Sequence, residues 1–109
     1  MIASDDVVSK ALAYLAIDPH PLALARKDLT DAEQDSKEEF ARALLVAEGS
    51  VAVKEARATI AIHYMKAKEM ESEALMEYER HRSRVKAAEM IIEIWRSENA
   101  NARAAERVR

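Results

Sequence analysis

Three histidines, His20, His63 and His81, stand among 20 Asp and Glu residues, and helical proteins build di-iron and zinc sites from such side chains. The spacing does not fit. A di-iron bundle takes a Glu-x-x-His pair from each of two helices, whereas the residues three places before these histidines are Ile17, Ile60 and Tyr78. Glu73, Glu77 and His81 share one helical face at i, i+4 and i+8, but a single row lacks the ligands of a second helix. Nucleophilic and nucleotide chemistry are no better supplied. The chain has no Cys and one Gly, so it offers no thiol nucleophile and can build neither Gly-x-x-x-x-Gly-Lys nor Gly-x-Gly-x-x-Gly to cradle a phosphate. These residues predict a protein that is not an enzyme and takes no metal, cofactor or small-molecule substrate.

The side chains left for binding chemistry are basic and aromatic. Residues 1–79 hold 9 bases and 16 acids, while residues 80–109 hold 8 bases and 4 acids. The switch is abrupt, because Glu69, Glu71, Glu73, Glu77 and Glu79 are followed directly by Arg80, Arg82, Arg84 and Lys86. Arginine presents a planar fork to phosphate oxygens, so these four with Arg96, Arg103, Arg107 and Arg109 form a candidate nucleic-acid-binding stripe. Trp95 beside Arg96 adds a platform on which an unpaired base could stack. Two other readings use the same residues. One is a solvated helix surface with local pairs such as Glu79 with Arg82, each worth a few tenths of a kcal/mol. The other pairs two copies antiparallel, the acidic stretch of one on the basic stretch of the other.

Helices must position these groups. The 109 residues include 22 Ala, one Gly and two Pro, a composition that favours helix and, at this length, a single domain over residues 1–109. Ser4 caps a first helix over about 5–17, with Asp5 and Asp6 in the turn where the helix dipole favours acids. Asp18-Pro19-His20-Pro21 ends it, since each proline holds its predecessor out of the α region, and Pro21 suits the first position of the next helix. Leu22, Ala25, Leu29, Ala32, Ser36, Phe40, Ala43 and Ala47 then recur at steps of three or four, giving a second helix over about 21–47. Thr30-Asp31-Ala32-Glu33 is also a capping-box pattern and leaves a break near 29 as the alternative. Glu48-Gly49-Ser50 reads as a stop followed by an N-cap, joining two antiparallel helices through a very short turn.

Beyond Ser50 there is no Gly or Pro, and Val53, Ala56, Ile60, Tyr64, Ala67, Glu71, Ala74, Tyr78, His81, Val85, Ala88, Ile92 and Trp95 hold a spacing near 3.5. This predicts one helix over about 51–100, with an Ala- and Arg-rich tail at 101–109 prone to fraying. Such a helix is about 75 Å long against about 40 Å for the second, so its distal half needs further cover. The predicted fold is all-α: a short N-terminal helix, then a long antiparallel helical hairpin, the bundle completed by self-association. Val85, Ala88, Ile91, Ile92 and Trp95 are the expected oligomer interface. Met65, Met70, Met76 and Met90 read as gap filling along helical seams. The chain starts with acids rather than a basic, apolar leader, its apolar runs fall short of the roughly 20 residues of a membrane span, and it has no Cys. A cytoplasmic protein without membrane contact is expected.

Two stretches carry a resemblance. Ala47-Glu48-Gly49-Ser50-Val51-Ala52 and Ile92-Glu93-Ile94-Trp95-Arg96-Ser97-Glu98-Asn99-Ala100-Asn101-Ala102-Arg103 resemble small all-helical proteins of tailed phages that are carried with recombination and replication genes. Over residues 11–103 the architecture is similar to the phage recombination-mediator class. The resemblance implies a ring-like homo-oligomer in the cytoplasm of a host bacterium that helps load a recombinase on single-stranded DNA. Its partners would be that DNA, the recombinase or a single-strand-binding protein. Trp95, Arg96, Asn99, Asn101 and Arg103 match the terminal motif. The net charge of -3 departs from the more basic surface of that class and confines any DNA contact to residues 80–109. The alternative is a protein-directed helical adaptor, scaffold or inhibitor whose apolar seam is the working surface.

Overall fold

A computed structural model describes residues 4–108, so Arg109 of the basic stripe lies outside the described residues. The described chain is all-helical, with 89% of it in helix and no strand. Four helices follow one another: α1 (Asp5–Leu15), α2 (Pro21–Val46), α3 (Val51–Thr59) and α4 (Ile62–Val108). Ser4 caps α1 by accepting the Val7 N–H at 3.3 Å, and Ser50 caps α3 by accepting the Val53 N–H at 3.4 Å. Each cap satisfies one of the free amide donors at a helix start. Gly49, between α2 and α3, has φ +117°, and a Cβ there would lie 2.9 Å from Val53 Cγ1. Only glycine fits this turn without strain.

Three boundaries differ from the sequence expectation. The alternative break near 29 does not occur: Thr30 donates its hydroxyl back to the Arg26 carbonyl at 3.0 Å, so it supports a continuous α2 instead of capping a new helix. The single helix expected over 51–100 is interrupted at Ile60 and Ala61. Thr59 back-bonds to the Glu55 carbonyl at 2.8 Å, Ile60 sits in the bridge region at φ -98°, ψ 2°, and the Ala61 N–H reaches only to the Ala58 carbonyl. Two adjacent β-branched residues, poor helix formers that crowd the preceding turn, mark the spot. The tail expected to fray is helical through Val108, which accords with the high helix propensity of its alanines.

The chain divides into two compact units, Met1–Leu22 with Arg80–Arg109, and Ala23–Glu79. In the first, Ala11 and Tyr14 of α1 form a buried cluster with Ala88 of α4, flanked by Leu15, Val85, Ile91 and Ile92. The pairing of small Ala11 and Ala88 lets two helices approach closely, and the branched side chains close over the gap. Of the residues expected as an interface with another copy, Ala88 is buried in this cluster, and Val85, Ile91 and Ile92 are partly buried against it.

In the second unit the buried residues are small: Ala25, Ala58, Ala67 and Ser36. Phe40 of α2 meets Tyr64 of α4, ring centroids 5.1 Å apart and tilted by 58°. Ser36 of α2 meets Glu71 of α4 at 3.1 Å, so the two segments run antiparallel. No large side chain among the described residues is fully buried.

Candidate functional site

His20 is placed by the two prolines that flank it. Its Nδ1 accepts the Leu22 N–H at 3.0 Å, so the imidazole acts as the N-cap of α2. With Nδ1 accepting, the ring proton sits on Nε2, which donates to the Tyr14 carbonyl at 3.1 Å. The ring also meets Tyr14 edge-on, 4.9 Å between centroids. His20 thus ties the last turn of α1 to the first turn of α2, a role invisible to a search for metal ligands. Tyr14 makes a second contact, because the Arg84 guanidinium lies over its ring, 4.1 Å from the centroid. The Tyr14 hydroxyl is buried and has no hydrogen-bond partner among the described residues.

This contact splits the basic stripe. Residues two apart on a helix are about 200° apart in projection, so Arg80 and Arg84 take one flank of α4 while Arg82 and Lys86 take another. Arg84 is engaged with Tyr14, and neither Arg80 nor Arg82 is free. Arg96 pairs with Glu93 at 3.0 Å, and Arg103 Nε donates to the Asn99 carbonyl at 3.4 Å.

The structure does bring part of the predicted set together. Trp95, Arg96 and Arg103 line one groove of about 460 Å³ with Asn99, Ala102 and Glu106. Trp95, Asn99, Ala102, Arg103 and Glu106, at i, i+4, i+7, i+8 and i+11, share adjoining rows of one helix, and Arg96 at i+1 lies on the row beside them. Trp95 is half-buried while residues 100–108 are exposed, so the aromatic wall stands at the inner end of an open, partly cationic surface. Arg107 lies near the same edge as Arg96 and Arg103. The groove can stack one planar group on Trp95 and offer two guanidinium forks to an anion.

A second groove, of about 380 Å³, lies in the Ala23–Glu79 unit and was not legible in the sequence. It is lined by Ala43 and Val46 of α2, by Ala47 just beyond that helix, and by Ala61, Ile62 and Tyr64, with Glu39, Arg42, Arg57 and His63 completing the lining. Ala61, at the interruption between α3 and α4, and Ile62, the first residue of α4, are both in this lining. Val46 and Ile62 are 82% and 76% exposed.

One polar cluster in this unit is structural. The Glu71 carboxylate takes a hydrogen bond from Lys68, 2.8 Å away, and another from the buried Ser36 hydroxyl. The Lys68 ammonium holds the carboxyl below the usual carboxylate range, and Ser36 adds to this against the opposing effect of burial. Glu71 in turn raises the Lys68 pKa. Among the described residues no three His, Asp or Glu side chains gather as a metal site, and no helix is long and apolar enough to cross a membrane. No protein-family model, curated protein or solved structure matches this chain.

Proposed function

We propose that this protein is a non-enzymatic helical accessory protein that binds single-stranded nucleic acid through the groove at the C-terminal end of α4. The observation that carries this reading is the gathering of Trp95, Arg96, Asn99 and Arg103 around one open surface. Trp95 stacks a base, worth about 1–3 kcal/mol by the usual measure of alanine substitution, and Arg96 and Arg103 hold the flanking phosphates. Asn99 supplies an amide to a base edge. Two phosphate contacts on a single strand give a salt slope of only about -1.4, so one site binds weakly. Repetition of the site in a homo-oligomer raises the avidity, and the resemblance to recombination mediators agrees with such an assembly in DNA recombination or replication.

Fluorescence anisotropy of a labelled single-stranded oligonucleotide, at about 50 and about 200 mM salt, tests this. Salt-sensitive binding that falls at least tenfold in Arg96→Gln/Arg103→Gln and in Trp95→Leu is expected. Absence of binding at low salt, or binding indifferent to these substitutions, overturns it. Exposed Val46 and Ile62 favour a second reading, a protein-directed adaptor or scaffold that binds no nucleic acid. Full burial of such side chains contributes about 1.5–3 kcal/mol each.

A further inference from the structure

We infer that Glu106 makes the Trp95 groove selective for base, so that it takes a single strand presenting cytosine in preference to one presenting thymine; this rests on the nucleic-acid reading above. The observation is a carboxylate in an otherwise cationic surface. Glu106 lines the groove with Arg96 and Arg103, and it stands three places after Arg103, a spacing at which opposite charges on a helix can pair. Among the described residues that pair is not made: Arg103 Nε donates to the Asn99 carbonyl at 3.4 Å, and Glu106 has no hydrogen bond or ion pair. A carboxylate free of its neighbouring guanidinium repels the phosphates that the arginines attract. A strand crossing the groove therefore turns a base toward Glu106 and its phosphates toward Arg96 and Arg103.

Helix geometry gives that base its place. Trp95, Asn99, Ala102 and Glu106 fall within about 60° of one another around the axis of α4. Ala102 is the one member of this row with no more than a methyl group, so a gap lies between Asn99 and Glu106, about 10 Å apart along the axis. A helical side chain leans toward the N-terminus and covers the turn before its own Cα. Arg103 does so, reaching back to Asn99, and the same lean carries the Glu106 carboxylate toward the gap over Ala102. A carboxylate only accepts hydrogen bonds. Cytosine presents its N4 amino donor on the edge where thymine presents the O4 acceptor. Facing Glu106, cytosine gains a charge-assisted hydrogen bond, whereas thymine sets acceptor against acceptor and takes water from a charge without replacing it. The purines also carry amino groups, but their larger rings change the stacking as well, so the two pyrimidines isolate the edge contact.

Fluorescence anisotropy of the full chain with oligodeoxycytidylate and oligothymidylate of equal length, at neutral pH and about 50 mM salt, tests the inference. Wild type is expected to bind the cytosine strand at least about fivefold more tightly. Glu106→Ala then identifies the cause, and alanine at this exposed helical position keeps the helix. Removing the charge changes phosphate repulsion for both strands alike, so the ratio of their affinities reads the base contact alone. That ratio is expected to fall to near one in Glu106→Ala. It should fall in Glu106→Gln as well, because the new amide can donate to thymine O4. Equal binding of the two strands by wild type, or a preference unchanged in Glu106→Ala, overturns the inference and leaves the nucleic-acid reading standing. Binding of neither strand by wild type overturns both.

Discussion

His20, Ser36, Glu71 and Tyr14 show how single side chains set local geometry. His20→Ala removes both the α2 cap and the link to the Tyr14 carbonyl, and is expected to cost about 1–2 kcal/mol in thermal or urea unfolding. His20→Asp keeps a capping oxygen and should cost less. Glu71 has a lowered pKa in the folded chain, so the folded state holds the carboxylate more firmly than the unfolded state does. Its contribution is complete above the ordinary carboxylate range and is lost as pH falls through the lowered folded pKa. Melting curves of wild type and Glu71→Gln should therefore differ at neutral pH and converge on acidification; a constant gap down to about pH 2 would contradict the pairing. Tyr14→Phe removes a buried hydroxyl without a partner among the described residues. It should be neutral or stabilise by up to about 1 kcal/mol, where loss of a made hydrogen bond would destabilise.

At the scale of elements, the starts and stops written in Pro, Gly and Ser were legible, because capping and φ restriction act within a few residues. The interruption at Ile60 and Ala61 also had a local signal, the β-branched pair Thr59-Ile60, but a search for Gly and Pro passes over it. Replacing both by Ala is expected to join α3 to α4 and raise the helical circular dichroism signal. An unchanged spectrum would show that tertiary contacts rather than propensity hold the break. Gly49→Ala meets a positive φ and the Val53 side chain at 2.9 Å, and should destabilise by more than about 1 kcal/mol.

At the scale of the whole molecule, the charge switch near residue 80 coincides with a unit boundary: Ala23–Glu79 holds 13 acids and 8 bases, and the other unit holds 7 acids and 9 bases. The basic unit carries the Trp95 groove and the acidic unit the apolar one.

Composition and local punctuation were enough to determine an all-helical chain, the helix ends at Leu15 and Pro21 within two residues, the short turn at Gly49 and the division of charge. These depend on interactions between near neighbours, which the sequence states directly. Only tertiary structure decided that α1 packs against Val85, Ala88 and Ile92 and that Arg84 is spent on Tyr14. A heptad seam specifies that an apolar face needs a partner, but not which helix provides it. That choice rests on the packing of residues some 70 positions apart, and the local pattern carries no record of it.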